Sequence, residues 1–448
     1  MKAVSYFIIL IIFCVIGFVY FSPSFSRTPP QIIVQSNKFT NLVKPIKITF
    51  KDKTGIKYYQ VTLVNGMQTI VLTKSDIKSS KKILTINVKL PPSLANGQII
   101  LNVNAVDNSK WHFFAGNKTF IHIPLTVDTT QPMVSIVDNS YDIGNGGSAV
   151  AVVQINDKYL KNAYILVNNK YKFYLTPFYK KGYYASLIAW PLGNKAFNAE
   201  VIATDKAGNI SQIQIPLYWK KYKYKISIVK VQKAYILSKI VDQLKRAGLS
   251  VPNKPGAMFA KANYILRIKD NNELSKLTTN VGTNMINSFA LHDFRPLPGS
   301  KLEAYFAEHR MYYYNHKLVS QSYHQGIDIA RYTHSKVYAS NSGKVITEKW
   351  LDLYGNILIV NHGFGLYTLF AHLSSYLVPN RALVHTKEAV ARGGSTGDAF
   401  GPHLHFGVYI QGNAVNPFEW LDKRWIKNNI TDVLKKAKQL ISQTQISG

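Results

Sequence analysis

Almost every position from residue 3 to residue 21 (AVSYFIILIIFCVIGFVYF) is apolar, and Lys2 stands in front of the run. At ~1.5 Å per residue, nineteen residues reach about 28 Å, the depth of a bilayer's hydrocarbon core. The pattern predicts a membrane-spanning helix, with residues 1–27 as a signal anchor and the bulk of the chain outside the cytoplasm. A cleaved signal peptide is the competing reading; the length of the run and the lack of an A-x-A-like site favour the anchor. After Arg27-Thr28-Pro29-Pro30 the period changes. Residues 84–90 (LTINVKL) alternate apolar and polar, as a strand with one buried face does, and Leu101, Val103 and Ala105 repeat the alternation. Asn65-Gly66 between apolar runs is a hairpin signal.

A weak repeat follows. Ala105-Val106-Asp107-Asn108 precedes Ile121-His122-Ile123-Pro124-Leu125, and Ala203-Thr204-Asp205 precedes Ile213-Gln214-Ile215-Pro216-Leu217. An offset of a little under one hundred residues is the size of one immunoglobulin-like sandwich. The expected organisation is therefore Ig-like β-domains over 28–130 and 131–220, although another all-β arrangement fits the same pattern. A mixed helical linker region is expected over 221–295. Within it Ile236, Leu237, Ile240, Val241 and Leu244 share a helical face and Gly248 suits a C-cap, while residues 250–300 give no clear period. Strands and turns resume from Lys301. Residues 426–448 predict an amphipathic helix, with Ile430, Val433, Leu434, Ala437, Leu440 and Ile441 on one face, best explained by docking on the protein's own surface.

Composition adds limits. The 448 residues leave room for about three domains, and 46% hydrophobic content argues against general disorder. A net charge of +31 calls for an anionic partner: nucleic acid, an anionic leaflet or the cell wall. The basic residues are spread along the chain, with no zinc-finger spacing and no RNA-binding aromatic motif, so nucleic acid is not expected. The only cysteine is Cys14, in the apolar run, so a metal site in the rest of the chain must use histidines and carboxylates.

Nine of the twelve histidines lie between residues 309 and 405. In His324-Gln-Gly-Ile-Asp328 the first and last residues share a side of an extended strand and can reach one ion. In Gly401-Pro-His403-Leu-His405-Phe the two imidazoles share one strand face while Leu404 and Phe406 point to a core. In Leu369-Phe-Ala-His372-Leu-Ser a single histidine sits in an apolar strand, where a packed core residue is the bland reading. Together they supply His and Asp ligands with histidines to spare for proton transfer, a set that suits zinc with one open position. Bound zinc lowers the pKa of its water towards ~7 and polarises a scissile carbonyl. No H-E-x-x-H is present, so the helix-borne arrangement with a glutamate base is absent.

The stretch from about Pro296 to Leu421 resembles the lysostaphin-type, LytM-like zinc peptidase family. The matching elements run in the family's order: Phe306 with Arg310 and Tyr312, the His324-to-Asp328 motif, Ala339 to Val345, Asn361-His362-Gly363, Tyr367 to Ser374, Gly394 to Gly397, Gly401 to Phe406, and Asn416-Pro417. The resemblance implies a peptidase domain over 296–425 with an antiparallel β core and an open groove. It implies one Zn2+ held by His324, Asp328 and His405, with His403 as general base and His372 stabilising the tetrahedral intermediate. Tyr367, Tyr409 and Tyr312 are candidate groove residues, with core packing as the alternative. Ala307 stands where the family commonly has glycine, and the turn Thr386-Lys387-Glu388-Ala389 lacks the family's usual glycine.

The expected function is a zinc-dependent endopeptidase that hydrolyses peptide cross-links of peptidoglycan, with zinc-activated water as nucleophile. Its partners would be peptidoglycan stem peptides and the inner membrane, reached through residues 3–21, with the bulk of the chain periplasmic. The alternative is a non-catalytic LytM-like regulator or wall-binding scaffold that activates another hydrolase.

Overall fold

The computed structural model describes residues 2–78 and 81–443, which form two compact units. The first contains residues 1–132 with the loops 157–161 and 204–210; the second contains 133–156, 162–203 and 211–448. The apolar run opens the first unit as the helix Lys2–Phe21, and Val4–Phe21 is long and apolar enough to cross a bilayer.

Two sheets follow in the first unit. One orders Phe39–Thr40, Lys118–Val127, Gly97–Asp107, Ile56–Asn65 and Gln68–Asp76; the other orders Gln31–Gln35, Ile46–Lys51 and Ile83–Val88. Alternation sends Ile48, Phe50, Val61, Leu63, Leu101 and Val103 into a common core. The hairpin at Asn65-Gly66 forms, with Gly66 at φ +59°.

The repeat has a physical basis in its aspartates. Asp107 ends the strand Gly97–Asp107 and accepts from the backbone N–H of Ser109 and Asn117 and from Asn117 Nδ2. Asp205 ends Ala199–Asp205 and accepts from the N–H of Gly208 and Asn209 and from Asn209 Nδ2. Both are fully buried and tie the turn that follows.

In the second unit, one sheet orders Thr176–Pro177, Tyr183–Ala189, Ser148–Asn156 and Met133–Asn139. Another orders Tyr171–Tyr174, Leu160–Val167, Ala199–Asp205 and Ile210–Gln214. Residues 233–246 are helical, and Gly248 takes φ +69° as Leu249 N–H bonds Leu244 O at 2.9 Å. A longer helix, Pro255–Leu277, occupies the stretch whose period is unclear in sequence. These helices are no free spacer: Ile236, Ile240, Leu244, Phe259, Leu266 and Leu274 share a core with Tyr354, Ile357, Ile359 and Leu369 of the C-terminal sheet.

That sheet is antiparallel along Lys301–Ala304, Ile327–Ala330, Leu404–Ile410, Leu366–Tyr376, Gly355–Asn361, Gly343–Leu351 and Leu383–Val384. The tail ends in the helix Asp432–Gln443, which buries Val433, Leu434, Ala437 and Ile441. It docks on the protein's own surface: Ser140 Oγ donates to Asn429 O at 2.7 Å and Lys436 pairs with Asp138 at 3.2 Å. Residues 444–448 of the expected helix lie outside the described residues.

Candidate metal centre

Strand register assembles the site. Asp328 lies directly opposite His405, and His405 opposite Ala371 on the far side. His324 Nε2, Asp328 Oδ1 and His405 Nδ1 meet in one triangle with all three sides at 3.0 Å. Gly326 makes the approach possible. A Cβ there would stand 2.5 Å from Phe406 O and 2.7 Å from His405 Nε2, too close for any side chain.

Backbone carbonyls set the imidazole tautomers, because a carbonyl can only accept. Tyr305 O takes the Nδ1 hydrogen of His324 at 2.9 Å, so His324 Nε2 turns a lone pair to the triangle. Burial drops the His405 pKa to about 4 and keeps its ring neutral. Burial opposes charge on Asp328, but the neighbouring His324 and His405 rings hold its carboxyl well below the usual range. Arg310 adds a 2.8 Å ion pair to the other oxygen, Asp328 Oδ2.

Two imidazole lone pairs and a carboxylate oxygen so close together are a donor set for a small divalent cation. Tetrahedral zinc ligands at about 2.0–2.2 Å stand roughly 3.3 Å apart, so the triangle lies near bonding separation. His405 Nε2 is buried without a partner among the described residues, as a nitrogen that must keep its hydrogen when Nδ1 binds metal. The three residues fit the group that the sequence implies.

The other two histidines stand at the rim. His403 Nε2 is 3.7 Å from Asp328 Oδ1, and its Nδ1 donates to Gly401 O at 2.8 Å. His372 donates from Nδ1 to Thr396 O at 2.7 Å, and its ring centre is 4.7 Å from that of His403. His372 has φ +59°. It lies where the register slips between Asn356↔Leu373 and Leu358↔Phe370, so Ala371 and His372 together face Ile357. Such a bulge re-aims a side chain, and a non-glycine residue holds it at a cost in backbone strain. Burial, aided by His403 and His405, lowers the His372 pKa to about 3.

The groove around these residues has a cavity of about 480 Å³, with Arg267, Glu303, Arg310 and Phe400 on its walls. The Gly-rich loop 392–401 beside it is pinned by the 233–246 helical segment: Tyr235 stacks on Phe400 at 4.5 Å and bonds Asp398, while Lys239 donates to Ala399 O at 2.7 Å. Of the tyrosines read as groove residues, Tyr312 is 3% exposed and packs in the same core as the other two, but it borders the groove and bonds Ser322 Oγ at 3.2 Å. Tyr367 and Tyr409 do not: they are 1% and 2% exposed and pack in the core. Aromatic side chains in an apolar strand suit either place, and here the helices above the sheet cover them. His362, without a role in sequence, is half-buried and bonds Ser342 O and Thr368 Oγ1, both at 2.9 Å. Sequence reasoning missed Tyr354, whose ring lies 5.3 Å from that of His405.

The sequence pattern of "Peptidase family M23" matches residues 322–417. Over 93 residues the chain is 36% identical to the peptidoglycan DD-endopeptidase ShyB of Vibrio cholerae, covering 21% of this chain and 22% of that protein. Over 94 residues it is 38% identical to the DD-carboxypeptidase/endopeptidase Mpg of Neisseria meningitidis, again 21% and 22%. Over 110 residues it is 34% identical to the murein hydrolase activator EnvC of Escherichia coli, 25% and 26%. The chain thus spans about a fifth to a quarter of the length of these relatives. Among solved structures, the catalytic domain of lysostaphin from Staphylococcus simulans is 25% identical, with 27% of this chain and 92% of that one covered and a TM-score of 0.24. A putative M23 peptidase of Pseudomonas aeruginosa is 18% identical, with 62% and 93% covered and a TM-score of 0.39. The domain that holds the His324, Asp328 and His405 triangle is thus one of peptidase family M23, the lysostaphin and LytM type.

Proposed function

We propose that the protein is a zinc-dependent endopeptidase that cuts peptide cross-links of peptidoglycan. The observation that carries this is the triangle of His324 Nε2, Asp328 Oδ1 and His405 Nδ1 beside two further imidazoles at one groove. The relatives named as peptidoglycan DD-endopeptidases support the substrate class. When bound, zinc would supply a water of lowered pKa and polarise the scissile carbonyl.

The chain's own residues would do the remainder. His324, Asp328 and His405 hold the ion. His403, with its Nδ1 hydrogen committed to Gly401 O, has Nε2 free to accept the proton of the attacking water and pass it to the leaving amine. His372 would stabilise the oxyanion, for which its Nε2 must carry a proton. The charge that develops beside it raises its proton affinity, and the protonated ring keeps its bond to Thr396 O. Arg310 would fix the Asp328 carboxylate. Residues 3–21 would hold the enzyme at the membrane, and the two β-domains, read as immunoglobulin-like, would space it from the bilayer.

A second reading, a non-catalytic activator, is favoured by the resemblance to EnvC. The presence of all three ligands and both rim histidines weighs against it. The test is hydrolysis of purified peptidoglycan by the full chain in detergent, with bound zinc measured in parallel. Wild type should cut cross-links and hold one zinc; His405→Ala should lose both. Zinc without cutting, together with stimulation of an added murein hydrolase, would favour the activator.

A further inference from the structure

The loop Lys110–Ala115 in the first unit presents aromatic side chains beside the end of the apolar helix. Phe113 is 100% exposed and Phe114 66% exposed. Three consecutive non-glycine residues, His112, Phe113 and Phe114, have φ of 54°, 54° and 69°. A left-handed backbone is disfavoured at every such residue. Phe113 gains no burial within the chain to offset that strain, and Phe114 gains little.

The chain leaving the helix is fastened to this loop. Lys110 N–H donates to Ser24 O at 2.7 Å, Ser109 Oγ to Ser26 O at 2.6 Å, and Asn117 Nδ2 to Ser26 O at 2.8 Å. The Arg27 guanidinium lies 4.5 Å from the ring of Tyr20, in the last turn of the helix, and 4.6 Å from that of Trp111. Val19 and Phe25 line one cavity of about 340 Å³ with Trp111, Phe113 and Phe114. The aromatic loop therefore sits level with the end of the membrane-length helix. Arg27, Lys110 and Lys57, whose Nζ donates to Phe114 O at 3.2 Å, surround it with positive charge. Aromatic rings flanked by cations match the headgroup boundary of an anionic bilayer.

We infer that the Trp111–Phe114 loop is a second membrane contact, inserted in the lipid interface next to the helix and holding the first β-domain against the bilayer surface. The inference rests on the helix lying in the membrane, and it is independent of peptidase activity. A protein partner on the same loop is the outcome the test must distinguish.

The full chain offers a clean probe, because Cys14 is its only cysteine. In vesicles of phosphatidylethanolamine and phosphatidylglycerol, an environment-sensitive nitrobenzoxadiazole label is placed at Cys14, or in a Cys14→Ser background at Phe113→Cys or Met67→Cys. Met67 is exposed at the far end of the strand Ile56–Asn65, whose Ile56 pairs with Asp107; ten residues put it about 30 Å from the loop. The label at 113 should emit to the blue of the label at 67 and lose most of its emission to spin-labelled lipid. The label at 67 should report water. Without a label, quenching by brominated lipid should be weaker in Trp111→Phe than in wild type. Equal, water-like spectra at 113 and 67, with Cys14 quenched, would overturn the loop contact and leave the anchor standing. An unquenched Cys14 would overturn both.

Discussion

Arg310 grips Asp328 from behind: its Nη2 lies 2.8 Å from Oδ2, while Oδ1 of the same carboxylate faces His324 and His405. The pair divides the carboxylate into a held oxygen and a ligand oxygen. Groups that orient a metal ligand in this way typically contribute 10–100-fold to metal affinity. Arg310→Gln should weaken zinc binding roughly 10-fold, read by competition with a chromophoric chelator. Affinity equal to that of wild type would show that Asp328 is oriented without it.

Gly326 is set by space. Its backbone passes so near His405 and Phe406 that an alanine Cβ must displace the strand that carries a metal ligand. Overpacking of this kind costs on the order of 2 kcal/mol. Gly326→Ala should lower the thermal midpoint of the metal-free protein and also reduce zinc content. If zinc content and melting both match wild type, the strands have room that the structure denies.

Short spacings made the His324, Asp328 and His405 group visible as possible ligands, while the roles of His372 and His403 came only with the family resemblance. What fixes the rings was not legible. The carbonyls of Tyr305, Thr396 and Gly401 belong to the backbone and carry no residue code. The bulge that re-aims His372 also left no mark, since no glycine stands there. The helix Pro255–Leu277 was hidden for another reason. Its buried face includes Asn263, which bonds Ser320, and Asp270, which accepts from Leu353 N–H, so the apolar stripe is broken by polar residues with partners far along the chain. Ala307, and Lys387 in the turn without the family's usual glycine, take φ of +57° and +69°. Both hold a left-handed backbone that favours glycine.

Lys387 turns that observation into a prediction. It is exposed, and its backbone N–H still donates to Ala339 O at 2.7 Å, so a substitution there changes little but the backbone preference. Removing the left-handed penalty should stabilise the domain by about 1 kcal/mol. For a unit of this size, Lys387→Gly should raise the thermal midpoint by about 2–4 °C. An unchanged or lower midpoint would mean that the lysine side chain contributes more than its conformation costs.

Glu419 predicts a pH dependence remote from the metal. It is buried, and its Oε2 accepts from Ser148 N–H at 2.8 Å. Burial pushes its pKa up to about 8 from an ordinary 4.5. Between those values the folded chain keeps a proton that the unfolded chain has released. The stability is therefore fully present below about 4.5 and is lost as pH rises through about 8. The whole shift corresponds to on the order of 5 kcal/mol. Glu419→Gln keeps an acceptor for Ser148 N–H and cannot ionise. Melts of both proteins should coincide near pH 5 and separate by pH 8.5, with the glutamine variant more stable and flatter in its pH profile. Parallel profiles would show that Glu419 enters the fold already ionised, with its charge met by Lys220 or by solvent.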